Sequence, residues 1–415
     1  MINLEILNIG PIKEVKITLN KINVFIGEQS SGKSTIAKII SFCQWVEKDI
    51  SIRQSYENYI TDDTYFIDKL ASFHKMDNYF NENSEIIYES DAIKIKYKKH
   101  KIQINWKDRY NYKRIKISYI PSERSIAVLP EMEKVELPNN YIKSFLFDWF
   151  DARKVFSEKE KLSLLNLDAF YYFSENSRNN ITNTEKSYNI NLTNASSGLQ
   201  SITPLIVMIE YLTEKLYLKE QNSSYELDKT LQETNFRIFK KLVMDEYNIK
   251  HKTKHDLEDT VKNLKEGTND ELIKLFKNYQ IIFRNLSKTN NTSLIIEEPE
   301  QNLFPSTQKH LIYYLLNKIN KKGHILTLTT HSPYVLYAMN NCIMADIVEN
   351  KLTKSEKERL SCLKSKVKPT QVSIYQIKDG KTHKIQNDDG LINDNYFDEQ
   401  MKNIMNEYYI MLNRY

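Results

Sequence analysis

The sequence predicts an α/β fold, and three observations carry that reading. An apolar strand with Ile22, Val24 and Ile26 runs into a polar loop, Gly27 to Gly32, and then into a helix. In that helix Ile36, Ile39, Ile40, Cys43 and Val46 recur at three- and four-residue spacing. Two further compact apolar runs, Leu294-Ile295-Ile296 and Ile325 to Leu328, stop abruptly at polar segments, Glu297-Glu298-Pro299-Glu300 and Thr330-His331-Ser332-Pro333. Alternating strands fill the N-terminal part: Ile2, Leu4 and Ile6, a turn at Gly10-Pro11, then Val15, Ile17 and Leu19.

Composition narrows the class. With 415 residues, 40% hydrophobic and 27% charged, the chain is not a disordered polymer. Cys43, Cys342 and Cys362 are an odd number, widely spaced and without a CxxC pair, which argues against a disulfide framework and a zinc knuckle. No apolar run approaches the roughly 18–20 residues of a membrane helix, and no signal-peptide pattern opens the chain, so a soluble cytoplasmic protein is expected. The net charge of +5 is too mild to identify a nucleic-acid binder. Its distribution is uneven, because Lys94 to Lys116 holds ten basic residues and one acid, Asp108.

Further along, Ile93, Ile95, Tyr97 and Ile102, Ile104, Trp106 alternate with lysines, as in a hairpin with one basic face. That face suits a DNA backbone or an acidic partner, and equally an edge strand guarded by lysine. A strand from Ile115 to Ile120 ends at Pro121-Ser122-Glu123-Arg124. Residues 140–180 read as helical, with Phe145, Phe147, Trp149 and Phe150 as core. A short strand, Asn189 to Leu192, leads to Asn194-Ala195-Ser196-Ser197-Gly198 and a helix of about 18 residues carrying Ile202, Leu205, Ile206, Ile209 and Leu212. Residues 220–290 are polar and helix-favouring, without the heptads of a long coiled coil. His251 and His255 there stand at i and i+4, but with no third ligand they read as solvated side chains rather than a metal site.

Gly27-Glu28-Gln29-Ser30-Ser31-Gly32-Lys33-Ser34 matches GxxxxGK[ST], followed by Thr35. Only 8 glycines occur in the whole chain, and two of them stand where a backbone must curl its N–H groups around a phosphate. The helix that follows turns its positive end to the same anion. Lys33 would reach the β- and γ-phosphates and Ser34 would ligate Mg²⁺. A buried strand delivering Glu297 and Glu298 has the form of a second nucleotide-site element. The first carboxylate would serve the metal, directly or through water, and the second would serve an attacking water as general base. Ser196-Ser197-Gly198-Leu199-Gln200 opens a helix as a phosphate nest or as a simple cap, and His331 could donate to a γ-phosphate.

In this order, phosphate loop, SSGLQ, LIIEEPE, THSP, the chain resembles the ABC-type ATPase superfamily. It is most similar to the non-transporter, SMC/Rad50-like and overcoming-lysogenization-defect (OLD) branch. GPI before GEQSSGKST, EEPE and THSPY look most like the OLD-like group. The resemblance implies a P-loop ATPase head with an antiparallel β subdomain and a helical insertion. It divides the chain into N-terminal strands, Walker A and helix (1–48), a β-rich accessory part (49–125), a helical subdomain ending in the signature (126–219), an inserted arm (220–290), Walker B to switch histidine (291–340) and a C-terminal α/β extension (341–415).

Residue by residue, the resemblance implies that Lys33 and Ser34 belong to Walker A, Glu297 to the Mg²⁺ position and Glu298 to the general base. Ser197, Gly198 and Gln200 correspond to the signature and His331 to the switch histidine, with Lys33, Glu298 and His331 the catalytic set. Asn302 would fall in a loop crossing a dimer interface. ATP and Mg²⁺ are the implied cofactors, and an ATP-sandwiched homodimer or higher homo-oligomer is the implied working unit. Three departures stand out. Glu297 replaces the usual Asp, so slow hydrolysis is expected; Leu199 replaces the second signature glycine; and no Q-loop glutamine can be placed, the Ser122-Glu123-Arg124 turn being the candidate stand-in. OLD-like proteins usually carry a nuclease domain after the ATPase. Only 84 residues follow His331, without a Glu…DxD cluster on apolar strands, and a built-in nuclease is not expected. The resemblance then extends to the stand-alone ATPases of two-gene anti-phage systems such as Septu or PARIS, which act with a separately encoded nuclease or other effector. A RecF/Rad50-like DNA-repair ATPase is the alternative.

Overall fold

A computed structural model describes residues 2–219 except 175, 177 and 184–186, residues 238, 240–242 and 269–415 except 393–394. Most of the expected arm, 220–290, and both His251 and His255 lie outside the described residues.

In chain order the sheet strands are β1 (Ile2–Ile9), β2 (Ile12–Leu19), β3 (Ile22–Gly27), β4 (Glu85–Glu89), β5 (Ile93–Lys98), β6 (Lys101–Trp106), β7 (Ile115–Ile120), β8 (Leu162–Ser163), β9 (Ala169–Phe173), β10 (Asn179–Asn183), β11 (Asn189–Asn191), β12 (Asn291–Glu297), β13 (Ile325–Thr330), β14 (Val372–Lys378) and β15 (Lys381–Lys384). The helices used below are α1 (Lys33–Arg53), α2 (Glu57–Ile60), α3 (Tyr65–His74), α4 (Tyr141–Arg153), α5 (Ser197–Glu210), α6 (Leu216–Lys219), α7 (Asn269–Leu286), α8 (Pro305–Lys322), α9 (Pro333–Val348), α10 (Lys354–Arg359) and α11 (Tyr396–Leu412). One eleven-stranded sheet runs β6-β5-β4-β1-β2-β15-β14-β3-β13-β12-β7, and a four-stranded sheet runs β11-β10-β9-β8.

The large sheet has two characters. β7, β12, β13, β3 and β14 are mutually parallel, whereas β15-β14 and the run from β2 to β6 are antiparallel. Strands covered on both faces read as unbroken apolar runs, and β3 is buried at every position. The parallel strands therefore end together, bringing Gly27, Ile120, Glu297 and Thr330 to one edge despite their separation in sequence. One apolar cluster packs β3, β12 and β13 against α4, α5, α8 and α9, and a second packs β1, β2 and β4–β6 against α1 and α3.

Local signals set the boundaries. Pro305 and Pro333 occupy the first turns of α8 and α9, where a missing N–H costs nothing, and the left-handed Gly323 closes α8. Two readings change. The helix expected over 140–180 is confined to α4; β8, β9 and β10 follow it, built from the alternating Ala169, Tyr171 and Ile181. Phe147, expected in the core, is 58% exposed because it lies on the outer face of α4. The C-terminal region supplies β14, which pairs with the phosphate-loop strand β3 from Val372↔Ile22 to Ile377↔Gly27. The basic hairpin forms as expected, with β6 at the sheet edge. Its charge is partly spent: Lys94 meets Glu89 at 2.9 Å and Lys98 meets Glu85 at 2.7 Å.

A buried histidine ties α8 to the core and predicts acid sensitivity. His324 Nδ1 accepts from Thr292 N–H at 3.0 Å, and Nε2 lies 3.1 Å from the Thr213 carbonyl. The ring is therefore neutral, and burial pushes its pKa down to about 4. A depressed histidine stabilises the fold fully above its unfolded value and loses that contribution as pH falls, here from about 6.5 to about 4. We expect the folding free energy to drop by on the order of 3 kcal/mol over that window from this site. A His324→Asn protein should show a shallower fall in urea midpoint across the same pH series.

Candidate nucleotide site

The phosphate loop follows from two close approaches. Gly27 has φ 152°, and a Cβ there would lie 2.6 Å from the Ile377 carbonyl oxygen of β14. Gly32 has φ 105°, and its Cβ would strike Ile12 Cδ1 at 2.3 Å. Only glycine lets the chain turn between these walls and start α1 at Lys33. Lys33 is 5% exposed and folds back over the loop, donating to the carbonyls of Gly27 at 3.0 Å and Glu28 at 2.6 Å. Burial pulls its pKa down to about 8, against the opposing pull of Glu298, Glu300, Glu297 and Glu28. A partly desolvated ammonium held by carbonyls is poised to exchange them for phosphate oxygens.

Glu297 ends β12, 4% exposed. Burial raises its pKa, while the Ser34 and Tyr119 hydroxyls beside it and the charge of Lys38 lower it. Its Oε1 nevertheless has no hydrogen bond of good geometry. The next residue, Glu298, adopts φ 42°, a left-handed conformation unfavourable for a side chain, and its N–H donates to the Thr329 carbonyl at 2.9 Å. This turn directs Glu298 Oε1 to 3.4 Å from His331 Nε2. Burial and the Lys33 charge lower the His331 pKa; Glu298 and the Gly27 backbone raise it. Lys33, Ser34, Glu297, Glu298 and His331 are thus brought together.

Two residues outside the expected catalytic and metal-holding set hold that turn. Glu300, half-buried, accepts from Thr330 Oγ1 at 2.8 Å and from His331 N–H at 2.7 Å, fixing the histidine loop. Arg124, fully buried, donates to the carbonyls of Glu297 at 2.9 Å, Glu298 at 2.8 Å and Ser201 at 3.2 Å, and to Ser201 Oγ at 3.3 Å. Burial lowers its pKa to about 10, while Glu300, Glu298 and Glu297 act to raise it. The sequence places Arg124 in the strand-end turn offered as a stand-in for the Q-loop glutamine, without pointing to its carbonyl partners. The signal was there, since a guanidinium after a buried strand has five donors to satisfy. Glu123 beside it accepts from the Tyr141 hydroxyl at 3.1 Å, and its charge reaches Glu297.

The SSGLQ segment stands apart from the loop. Ser196 caps α5, accepting from Leu199 N–H at 3.4 Å, so the simple-cap reading holds for this serine. Ser197 is exposed and makes no side-chain hydrogen bond among the described residues. Gln200 turns back on its own loop, donating to the carbonyls of Thr193 at 2.8 Å and Ala195 at 3.1 Å. A Cβ on Gly198 would lie 3.1 Å from the Asn302 carbonyl, so α5 abuts the turn after Glu300. Glu28, Gln29 and Ser30 line the outer rim of the loop, all three exposed, while Thr35 is buried within α1.

Residues 1–336 match the AAA ATPase domain family. The chain belongs to that family. Among solved structures it is similar to the SMC head domain from Thermotoga maritima, at 9% identity over 92% of this chain and 97% of that one, with a TM-score of 0.37. It is also similar to the ATP-binding cassette MJ0796, a dimer in a post-hydrolysis state bound to ADP and Pi, at 12% identity over 93% and 100% and a TM-score of 0.30. The recombination mediator RecF is similar at 12% identity over 92% and 97%, with a TM-score of 0.28. No match is found among curated proteins. Among the described residues, no helix is long and apolar enough to cross a membrane.

Proposed function

We propose that this ATPase domain is an ABC-type, SMC-like switch that closes two copies of the chain around ATP and reopens them on hydrolysis. The observation that carries this reading is the meeting of Lys33, Glu297, Glu298 and His331 at one sheet edge, with Ser197 exposed on a separate helix. In the proposed cycle the Lys33 ammonium leaves its loop carbonyls for the β- and γ-phosphates, and the loop N–H groups line the anion. Glu298 takes a proton from the attacking water, and His331, held by Glu300, orients that carboxylate and the γ-phosphate. Ser197 and Gly198 of a second copy would cover the γ-phosphate from the other side. Gln200 serves this cap indirectly, by shaping its loop.

The residues present fit a divalent cation. Glu297 Oε1 is a buried carboxylate oxygen without a partner beside the Ser34 hydroxyl, and no cluster of three His, Cys, Asp or Glu side chains suited to a metal competes among the described residues. One carboxylate and a hydroxyl, completed by phosphate oxygens, is a usual Mg²⁺ arrangement. When bound, the ion would neutralise charge on the transferring phosphoryl group. Ser34 and Glu297 would hold it.

The switch is proposed to act in bacterial anti-phage defence with a separately encoded nuclease or toxic effector. Support comes from α11, which carries Met401, Ile404, Ile410 and Met411, each more than 60% exposed, a surface suited to a protein partner. For the RecF/Rad50-like alternative the hairpin offers less, because Lys94 and Lys98 are already paired with Glu89 and Glu85. Reversing the charge of Lys94, Lys96 and Lys98 is accordingly expected to leave duplex-DNA retention unchanged in a filter assay at low salt. The switch itself is tested by ATP turnover. Wild-type protein with Mg²⁺ should hydrolyse ATP, and Lys33→Ala protein should lose both turnover and binding; equal turnover in the two would remove the proposal.

A further inference from the structure

Apart from the terminal Tyr415, Phe304 is the most exposed large apolar side chain among the described residues, at 75%. Scattered exposed hydrophobic residues are ordinary. This one stands on a fixed pedestal. Its backbone ends the turn that begins at Glu298: Gln301 N–H donates to the Glu298 carbonyl at 3.1 Å, Leu303 N–H donates to the Glu300 carbonyl at 3.0 Å, and Asn302 between them takes φ 60°. Pro305 then starts α8, and Gln308 N–H donates to the Phe304 carbonyl at 3.0 Å. With the backbone held on both sides, little freedom is lost when the ring is covered, which favours an aromatic contact there.

The pedestal lies between the two regions that the proposed switch assigns to different copies. On one side, the Asn302 carbonyl abuts Gly198 and the Gln301 carbonyl accepts from Ser201 Oγ at 2.9 Å, joining the turn to the start of α5 and the exposed Ser197. On the other, Gln308 accepts from Ser332 Oγ at 2.5 Å and Glu300 from His331 N–H at 2.7 Å, joining it to the histidine loop. Leu199, half-buried, and Tyr334, 46% exposed, continue the apolar strip beyond these two attachments. The next step rests on the two-copy reading, in which Ser197 of one copy reaches the nucleotide beside Lys33 and His331 of the other. In a two-fold pair each copy gives and receives that same contact, so the axis passes midway between the two regions. A side chain standing there meets its own counterpart. We infer that Phe304 is the apolar anchor of the nucleotide-closed pair, packing across the two-fold axis against the partner's Phe304. The ring is then covered by a second copy of this chain, and only while nucleotide is bound.

Full-length Glu298→Gln protein, sedimented with ATP and Mg²⁺, is the reference. Adding Phe304→Ser should weaken the pair at least about tenfold, as truncation of an interface anchor does. ATP binding per chain and the melting temperature should stay at the reference values, because so little of this residue is packed on its own chain. Adding Phe304→Cys instead should let a short bismaleimide join two copies, and only when ATP and Mg²⁺ are present. The three native cysteines are buried, so the linked product reports on position 304. A pair that forms as tightly with Phe304→Ser, or one that forms with no linkage at position 304, would overturn the inference and leave the two-copy reading standing. Loss of ATP binding in Phe304→Ser protein would overturn it too, since the residue would then act on the nucleotide site. A reference protein that binds ATP and never pairs would remove both the inference and the two-copy reading.

Discussion

Replacing Glu298 by Gln is expected to lower ATP turnover by about 10²–10⁴-fold, the usual contribution of a positioned general base, while leaving nucleotide binding intact. The amide keeps the size of the side chain and its reach to His331, 3.4 Å away, but cannot accept a proton from water. The carboxylate is half-exposed, and its backbone is held by the Thr329 carbonyl and the Arg124 guanidinium, so the substitution leaves the turn in place. Single-turnover hydrolysis and ATP affinity, measured on the same preparation, separate the two effects. A protein that binds ATP as before and hydrolyses it at the wild-type rate would remove Glu298 from the reaction.

The second large effect is expected at Arg124. Replacing it by Met would strip donors from the carbonyls of Glu297, Glu298 and Ser201 inside a fully buried space. Each unmet carbonyl costs about 1–3 kcal/mol, so a loss of roughly 3–5 kcal/mol is expected after partial relaxation. Arg124→Lys is the informative variant, since one ammonium restores charge but cannot fork between the Glu298 turn and α5. It should fold, bind ATP with near wild-type affinity through the Lys33 loop, and show kcat reduced at least about tenfold. Arg124 is a positioning residue in this account: it joins the turn that aims Glu298 to the helix that presents Ser197. A Lys variant with unchanged kcat would reduce it to a packing role.

Much of this was legible in the sequence because the chemistry is local. Gly27 to Ser34, Glu297 and Glu298, and His331 each follow an apolar strand, and parallel strands deliver their ends to one edge. Backbone geometry that depends on distant partners was not legible. The neighbour that forces Gly27 is the Ile377 carbonyl, some 350 residues away, in a strand that no motif marks. The same holds for Arg124, whose acceptors are carbonyls and hence invisible to any residue pattern. The over-long helix at 140–180 arose because Tyr171, Tyr172 and Phe173 suit a helix core and a strand equally well until β10 pairs with them.

In the proposed switch, ATP held by Lys33 and Ser34 of one copy is closed by Ser197 of another. Glu298→Gln protein, which should retain ATP, tests it most directly by sedimentation with and without ATP and Mg²⁺. The account predicts a monomer without nucleotide, a dimer with ATP and Mg²⁺, and a return to monomer when Ser197→Arg is added to the same protein. A sedimentation coefficient indifferent to ATP, or a dimer untouched by Ser197→Arg, would contradict it.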